Sequence, residues 1–297
     1  MIPNTFLIGA PKAGTSALAH YLSEHPDVYL GYPKEPSFWS SDLNSNNSVS
    51  LCKTLDDYLR LYSRAANQKI ILDASTSYSY SDTAVSRILE FQSTAKFIYI
   101  IRDPVELAHA YHMEKVFNMV EDVTNFEDAW NLQAIRREGI KIPSKCVEPK
   151  ELQYREVAAV GKQLKKLHQE IPRKQLLILF HDDMIVNTRS VYLEALAFLN
   201  LKDDNRLHFP KIGTAHFNRF SLLAKIYQTP PQAIAPAVRY TKMLIRQSPL
   251  SNTFKKMLID RRKRPRLGAN FASHLKSEFS QEIDLIYEIT GRKLNEK

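Results

Sequence analysis

Three side chains in the first half of the chain have types and settings suited to chemistry on an anion. Lys12 lies in a loop bounded by Gly9 and Gly14, within Thr5-Phe-Leu-Ile-Gly9-Ala-Pro-Lys12-Ala-Gly14-Thr15-Ser16. An apolar run that feeds such a loop and then a helix builds an anion site. Loop and first-turn N–H groups converge there, and the helix dipole adds partial positive charge. Lys12 adds a full one. Glu35 sits between Pro33 and Pro36, whose rings stiffen the segment. A carboxylate held beside the anion loop can take a proton from a hydroxyl nucleophile. Arg102 follows the apolar run Lys96–Ile101, and its planar fork of donors suits a phosphate. Each residue also has a plainer reading: an incidental lysine in a turn, a surface glutamate paired with Lys34, and an arginine salt-bridged to Asp103 or Glu106.

The Gly9-to-Gly14 spacing is that of the nucleotide-binding loop G-x-x-x-x-G-K-[ST], and Thr15-Ser16 follow it. No lysine follows the second glycine. The lysine has moved inside the loop, nearer to a group being transferred than to β- and γ-phosphates.

The elements that must position these residues alternate. Thr5–Gly9, Lys69–Asp73, Lys96–Ile101 and Leu176–Phe180 read as buried parallel strands. Ser16–Glu24, Thr83–Gln92, Pro104–Asn118, Val157–Glu170 and Thr188–Leu199 read as helices between or after them, and Ser273–Leu294 as a final amphipathic helix with a short tail. The expected fold is α/β and P-loop-like: three layers, with a central, mainly parallel sheet of about five strands flanked by helices. Ligands of such sheets bind beyond the carboxyl ends of the strands. Those ends carry the Gly9–Thr15 loop, Asp73-Ala-Ser75 and Arg102-Asp103. The chain is read as one domain, 1–297. Its polar 43–50 stretch and 139–150 read as loops, and the helical pattern of 227–258 is broken by Pro230, Pro231, Pro236 and Pro249.

At these motifs the chain resembles the PAPS-dependent sulfotransferases (PAPS is 3′-phosphoadenosine 5′-phosphosulfate), nearest to the bacterial and heparan-sulfate-type branch. Pro11-Lys12-x-Gly14-Thr15-Ser16 is similar to that family's 5′-phosphosulfate loop, and Lys34-Glu35-Pro-Ser-Phe38-Trp39 to the K-E-x-x-F-F segment that carries its catalytic glutamate. Asp73-Ala-Ser75-x-Ser-Tyr78 resembles E-x-S-P-x-Y, and Arg102-Asp-Pro-Val-Glu106 resembles the opening of its 3′-phosphate motif. Phe126-Glu-Asp-Ala129 and the closing Arg-Pro-x-Leu…Gly-Arg-Lys-Leu pattern extend the likeness over nearly the whole chain.

The resemblance implies in-line sulfuryl transfer from PAPS to a hydroxyl or amine, with PAP as product and no metal requirement. It makes Glu35 the general base and Lys12 the group that stabilises the leaving phosphosulfate oxygen. Lys12, Ala13, Gly14, Thr15, Ser16 and Ala17 would hold the 5′-phosphate, and Arg102 the 3′-phosphate. Two positions depart from the family pattern R-D-P-x-x-R-A-x-S: Leu107 replaces the second arginine and Ala110 the phosphate-binding serine. Arg262 and Lys263 are expected to supply what Ala110 cannot. Ala74 and Ser37 stand where some glycan-modifying members have lysine and histidine, which weakens a heparan-like acceptor.

The net charge of +9 is concentrated late in the chain. Residues 239–266 hold ten Lys or Arg and one acid, Asp260. The expectation is a basic segment closing over the cofactor end, with peripheral membrane contact as a further role; a solvated basic face is the plainer reading. No apolar run approaches a membrane span, and no signal peptide is expected before the first strand. Cys52 and Cys146 lack metal or redox spacing, so a cytoplasmic setting is expected.

Two rival readings remain. One is a P-loop kinase or NTPase acting on a small molecule, with Asp73 imitating a Mg²⁺-binding strand end. The other is a non-enzymatic protein that binds membrane or nucleic acid through 239–266, although no nucleic-acid module is recognisable and no nucleic-acid partner is expected. The acceptor is left open among a small molecule, a glycan and a lipid headgroup, and the oligomeric state is not legible. Tyr78, Tyr80, Tyr111, Phe117 and Trp130 are candidates to line its pocket or to fill the core. His109 and His112, three apart on the helix after Arg102, are too few for a metal site.

Overall fold

The computed structural model describes residues 1–43, 52–212 and 265–294, together with the backbone of 217–218 and 259–260. The expectations for 44–50, 227–258, Arg262 and Lys263 lie outside the described residues.

Five parallel strands form the central sheet: β1 (Thr5–Gly9), β2 (Val28–Leu30), β3 (Ile70–Ala74), β4 (Lys96–Ile101) and β5 (Leu176–Phe180). Their order is β2-β3-β1-β4-β5. β1 and β3 are buried along their whole length, as strands covered on both faces must be. β2 is the strand the sequence pattern misses. It is three residues long, half-buried and at the sheet edge, too short to show a period.

Among the described residues up to 199 there are ten α-helices: α1 (Thr15–Ser23), α2 (Leu55–Arg60), α3 (Ala84–Phe91), α4 (Pro104–Phe117), α5 (Phe126–Asn131), α6 (Gln133–Arg137), α7 (Tyr154–Val157), α8 (Val160–Glu170), α9 (His181–Val186) and α10 (Thr188–Leu199). A two-residue antiparallel ladder pairs β6 (Phe217–Asn218) with β7 (Ile259–Asp260), and β6 lies against α4. The chain closes with α11 (Ala269–Glu278) and α12 (Ser280–Thr290).

Two expected helices are each divided. Val157–Glu170 breaks at Ala158-Ala159, where the Gln163 side-chain amide donates to the freed Val157 carbonyl at 3.0 Å. Ser273–Leu294 starts earlier, at Ala269, and breaks at Phe279. That ring is fully buried against Trp130, with centroids 5.7 Å apart. A straight helix would give up this burial, so packing overrides propensity.

The topology sets where a ligand goes. β1 is central, and the chain builds β2 and β3 on one side of it before crossing to β4 on the other. Such a reversal opens a crevice at the carboxyl ends of the strands. β1, β3 and β4 end there in Gly9, Ala74 and Ile101, just before the loops that carry Lys12, Ser75 and Arg102. At Gly9 φ is +149°, and a Cβ would sit 2.6 Å from Ser79 Oγ, so no larger residue fits at the loop's root.

Candidate active site

The loop after β1 ends at Gly14, which caps α1 with φ +96°. α1 has no side-chain N-cap bond and no acid in its first turn. Its first N–H groups therefore point out of the helix without a carboxylate competing for them. Ala17 N–H is the exception, because it donates to Gly14 O at 3.0 Å. Gly14, Thr15, Ser16 and Ala17 all line one cavity of about 460 Å³, while Ala13 is fully buried beneath the loop. Lys12 lines the same cavity, with φ +58°.

Glu35 reaches the cavity from the segment after β2. Its N–H donates to Ala74 O at 3.1 Å, at the end of β3. Two residues on, Ser37 N–H donates to Ser75 Oγ at 3.1 Å, and Ser75 Oγ–H donates to Asp73 Oδ1 at 2.7 Å. The buried Asp73 also accepts from Tyr58 at 2.7 Å and from Tyr78 at 2.9 Å. Burial pushes its carboxyl up from the ordinary value, and the Ser75, Tyr58 and Tyr78 hydroxyls pull against that rise. Asp73 is thus committed to holding the Glu35 segment and does not line the cavity. The Mg²⁺-binding role in the kinase reading would need that carboxylate at the cavity. Glu35 and Ser37 have φ of +61° and +52°, so three non-glycine residues at this one site, Lys12 included, sit in the left-handed region. Such conformations cost on the order of 1–3 kcal/mol each and collect at functional sites. The Glu35 carboxylate accepts from Lys34 and, at 3.2 Å, from Thr76 Oγ1.

Arg102 comes from the end of β4. Its guanidinium donates to the Lys12 carbonyl at 2.5 Å and to Glu106 Oε2 at 3.3 Å, so it braces the anion loop from the opposite side. Asp103 caps α4 by accepting from Glu106 N–H at 2.9 Å, with Pro104 at the first helical position. α4 then runs Ala110 and Glu114 past the cavity, while Leu107 is buried in the core.

The structure thus gathers Lys12, Gly14, Thr15, Ser16, Ala17, Glu35 and Arg102 around one cavity. Arg262 and Lys263 lie outside the described residues. The sequence reading missed Thr76, Glu114, Lys115 and Glu151, which also line it. Lys115 Nζ lies 2.8 Å from Glu151 Oε2 and 4.7 Å from the centre of the Tyr111 ring. Burial works against its charge, but Glu151 beside it, together with Tyr80 and Glu114, outweighs that and holds the ammonium above its ordinary value. The available signal for Glu114 was helical spacing, since it is four residues after Ala110 on one face. Glu151 follows a long loop, and no local pattern points to it.

The aromatic candidates divide. Tyr80, Tyr111 and Phe117 line the cavity, whereas Tyr78 and Trp130 are core residues. His109 stacks on Phe126 at 5.4 Å, and His112 Nε2 faces Val123 O at 2.9 Å. No cluster of three metal-ligating side chains occurs among the described residues, and no described helix is long and apolar enough to cross a membrane.

Comparison with known proteins agrees with this architecture. Over 105 residues the chain is 32% identical to the membrane-associated sulfotransferase kil1 of Dictyostelium discoideum, covering 35% of this chain and 21% of that protein. Over 126 residues it is 29% identical to heparan sulfate glucosamine 3-O-sulfotransferase 3B1 of Homo sapiens, covering 42% of this chain and 30% of that one. The chain therefore spans less than a third of the length of these relatives. A crystal structure of a sulfotransferase from Alicyclobacillus acidocaldarius superposes with a TM-score of 0.73 at 19% identity, covering 99% of this chain and 98% of that one, which shows a shared fold. Residues 3–212 match the family described as Sulfotransferase domain, and with this match over most of its length the chain belongs to the sulfotransferase family.

Proposed function

We propose that this protein transfers a sulfuryl group from PAPS to an acceptor hydroxyl or amine, with Glu35 as general base and Lys12 as the cation at the leaving oxygen. One observation carries the reading: Lys12, Glu35 and Arg102, delivered from three separate segments, line a single cavity of about 460 Å³ at the carboxyl edge of the sheet.

The chain's own groups fit such a donor. The open first turn of α1 and Lys12 suit the 5′-phosphosulfate. Arg102, beside the loop, suits the 3′-phosphate, with Arg262 and Lys263 proposed as further partners there. Lys12 neutralises charge that builds on the bridging oxygen, and such preorganised charge stabilises the transition state. Glu35 takes the acceptor's proton, and the Asp73–Ser75–Ser37 chain fixes its position. Sulfuryl transfer puts less charge on the moving group than phosphoryl transfer does, so fixed cations and dipoles suffice. The acceptor is a small molecule, a glycan or a lipid headgroup.

Titration calorimetry tests the donor. PAP binding in EDTA, with ATP bound weakly whether or not Mg²⁺ is present, supports the reading. Mg²⁺-dependent ATP binding with no affinity for PAP would overturn it.

A further inference from the structure

A second cavity, of about 790 Å³, lies on the far stretch of α4 and reaches the start of α11. Met113 and Phe117 line both cavities, so the two adjoin along one helix. The second has a different character. Val116, Phe126, Leu267 and Phe271 join the two shared residues in an apolar wall. Its volume falls within the range of roughly 300–1,000 Å³ in which proteins enclose small ligands.

The polar groups in this wall are neutralised or neutral. The Glu121 carboxylate is taken up by the Arg136 guanidinium, whose two contacts are 2.5 and 2.7 Å. His112 Nε2 faces a carbonyl, so that nitrogen carries the proton and Nδ1 presents a lone pair. Burial holds the imidazole below its ordinary pKa and therefore neutral. Nδ1 is buried without a hydrogen-bond partner among the described residues. Among the described residues, the charges that line the cavity away from this wall, Asp122, Glu127, Lys145 and Arg266, balance in sign.

We infer that the acceptor is an alcohol with an extended hydrocarbon body, its hydroxyl in the Lys12–Glu35 cavity and its body past Met113 and Phe117 in the second cavity. This rests on the sulfuryl-transfer reading and narrows its acceptor. No covalent step is added: the alcohol oxygen gains the sulfuryl group, its proton goes to Glu35, and PAP leaves.

The test is titration of the full chain, without nucleotide, with the primary alcohols from hexan-1-ol to dodecan-1-ol and with glucose. Each buried methylene should tighten binding roughly threefold to fourfold until the cavity is full, and glucose should not compete. Two variants narrow the cavity from different sides, Val116→Trp and Leu267→Trp. Each should flatten the chain-length dependence while leaving PAP affinity as in the wild type, which also shows that the variant is folded. Equal affinity for hexan-1-ol and dodecan-1-ol, or unchanged dodecan-1-ol binding in both variants, would overturn the inference with sulfuryl transfer intact. Absence of PAP binding would remove the acceptor role by way of the transfer reading, and the nucleotide-free titration tells the two failures apart.

Discussion

Glu114 Oε2 holds the Lys12 ammonium at 2.5 Å, joining the anion loop to α4 across 102 residues of sequence. Both side chains are partly exposed in the cavity wall, at 29% and 37%. The contact gives Lys12 a fixed place, and it sets a carboxylate beside the site proposed to receive the donor's phosphate and sulfate. Glu114→Gln removes that charge while keeping the shape. The variant should bind PAP more tightly by severalfold, with the gain shrinking at high salt. Calorimetry at two ionic strengths checks this.

Ala110 lies in the cavity wall on the helix that follows Arg102, and its methyl group donates nothing. Ala110→Ser should tighten PAP binding, whereas Arg102→Ala should weaken it about tenfold to a hundredfold, the worth of hydrogen bonds to a charged group. Adenosine 5′-phosphate, which lacks the 3′-phosphate, should show a much smaller change in both variants. Competition binding with the two nucleotides reads the difference.

Asp73 acts on Glu35 at one remove, through Ser75 and Ser37. Asp73→Asn replaces one acceptor oxygen with a donor, which then faces either the Ser75 hydroxyl or the Tyr58 and Tyr78 hydroxyls. It should lower kcat with PAP affinity changed only a fewfold. Steady-state kinetics beside PAP titration would separate this positioning role from general unfolding, which would reduce both.

The fully buried pair Glu121–Arg136 ties the segment after α4 to α6. Burial pushes the Glu121 carboxyl up, but Arg136, Tyr154 and the Val123 N–H outweigh it and hold it below the ordinary value. The stability it contributes is therefore present above the ordinary glutamate range, and it is lost as pH falls through the lowered folded value. Thermal melts should show this acid-side loss. Glu121→Gln should cost about 3–5 kcal/mol at neutral pH, because it leaves Arg136 buried and unpaired, and its melting temperature should depend less on acid.

Much of this was legible from local signals. β1, β4 and β5 read as continuous apolar runs with the observed limits. Lys12, Glu35 and Arg102 stood out because loop glycines, flanking prolines and a strand end mark their positions. What escaped depends on contacts distant in sequence. β2 is a strand because its backbone pairs with β3, not because three residues carry a period. Phe279 breaks a helix to bury its ring against Trp130. Glu151 is at the site because it meets Lys115 there. The roles of Asp73 and His112 likewise follow from neighbours that sequence spacing does not bring together.

The central claim is that Lys12 and Glu35 carry out sulfuryl transfer in the cavity they share. Its most direct measurement follows radiolabelled sulfate from PAPS into an acceptor pool that includes long-chain alcohols, in EDTA, for the wild type, Lys12→Ala and Glu35→Gln. The account predicts label transfer by the wild type without metal. It predicts a fall of about 10²–10³-fold for Lys12→Ala and about 10²–10⁴-fold for Glu35→Gln, with PAP affinity largely kept in the glutamate variant. Wild-type rates in both variants, or phosphoryl transfer from ATP with Mg²⁺ in place of sulfuryl transfer, would contradict it.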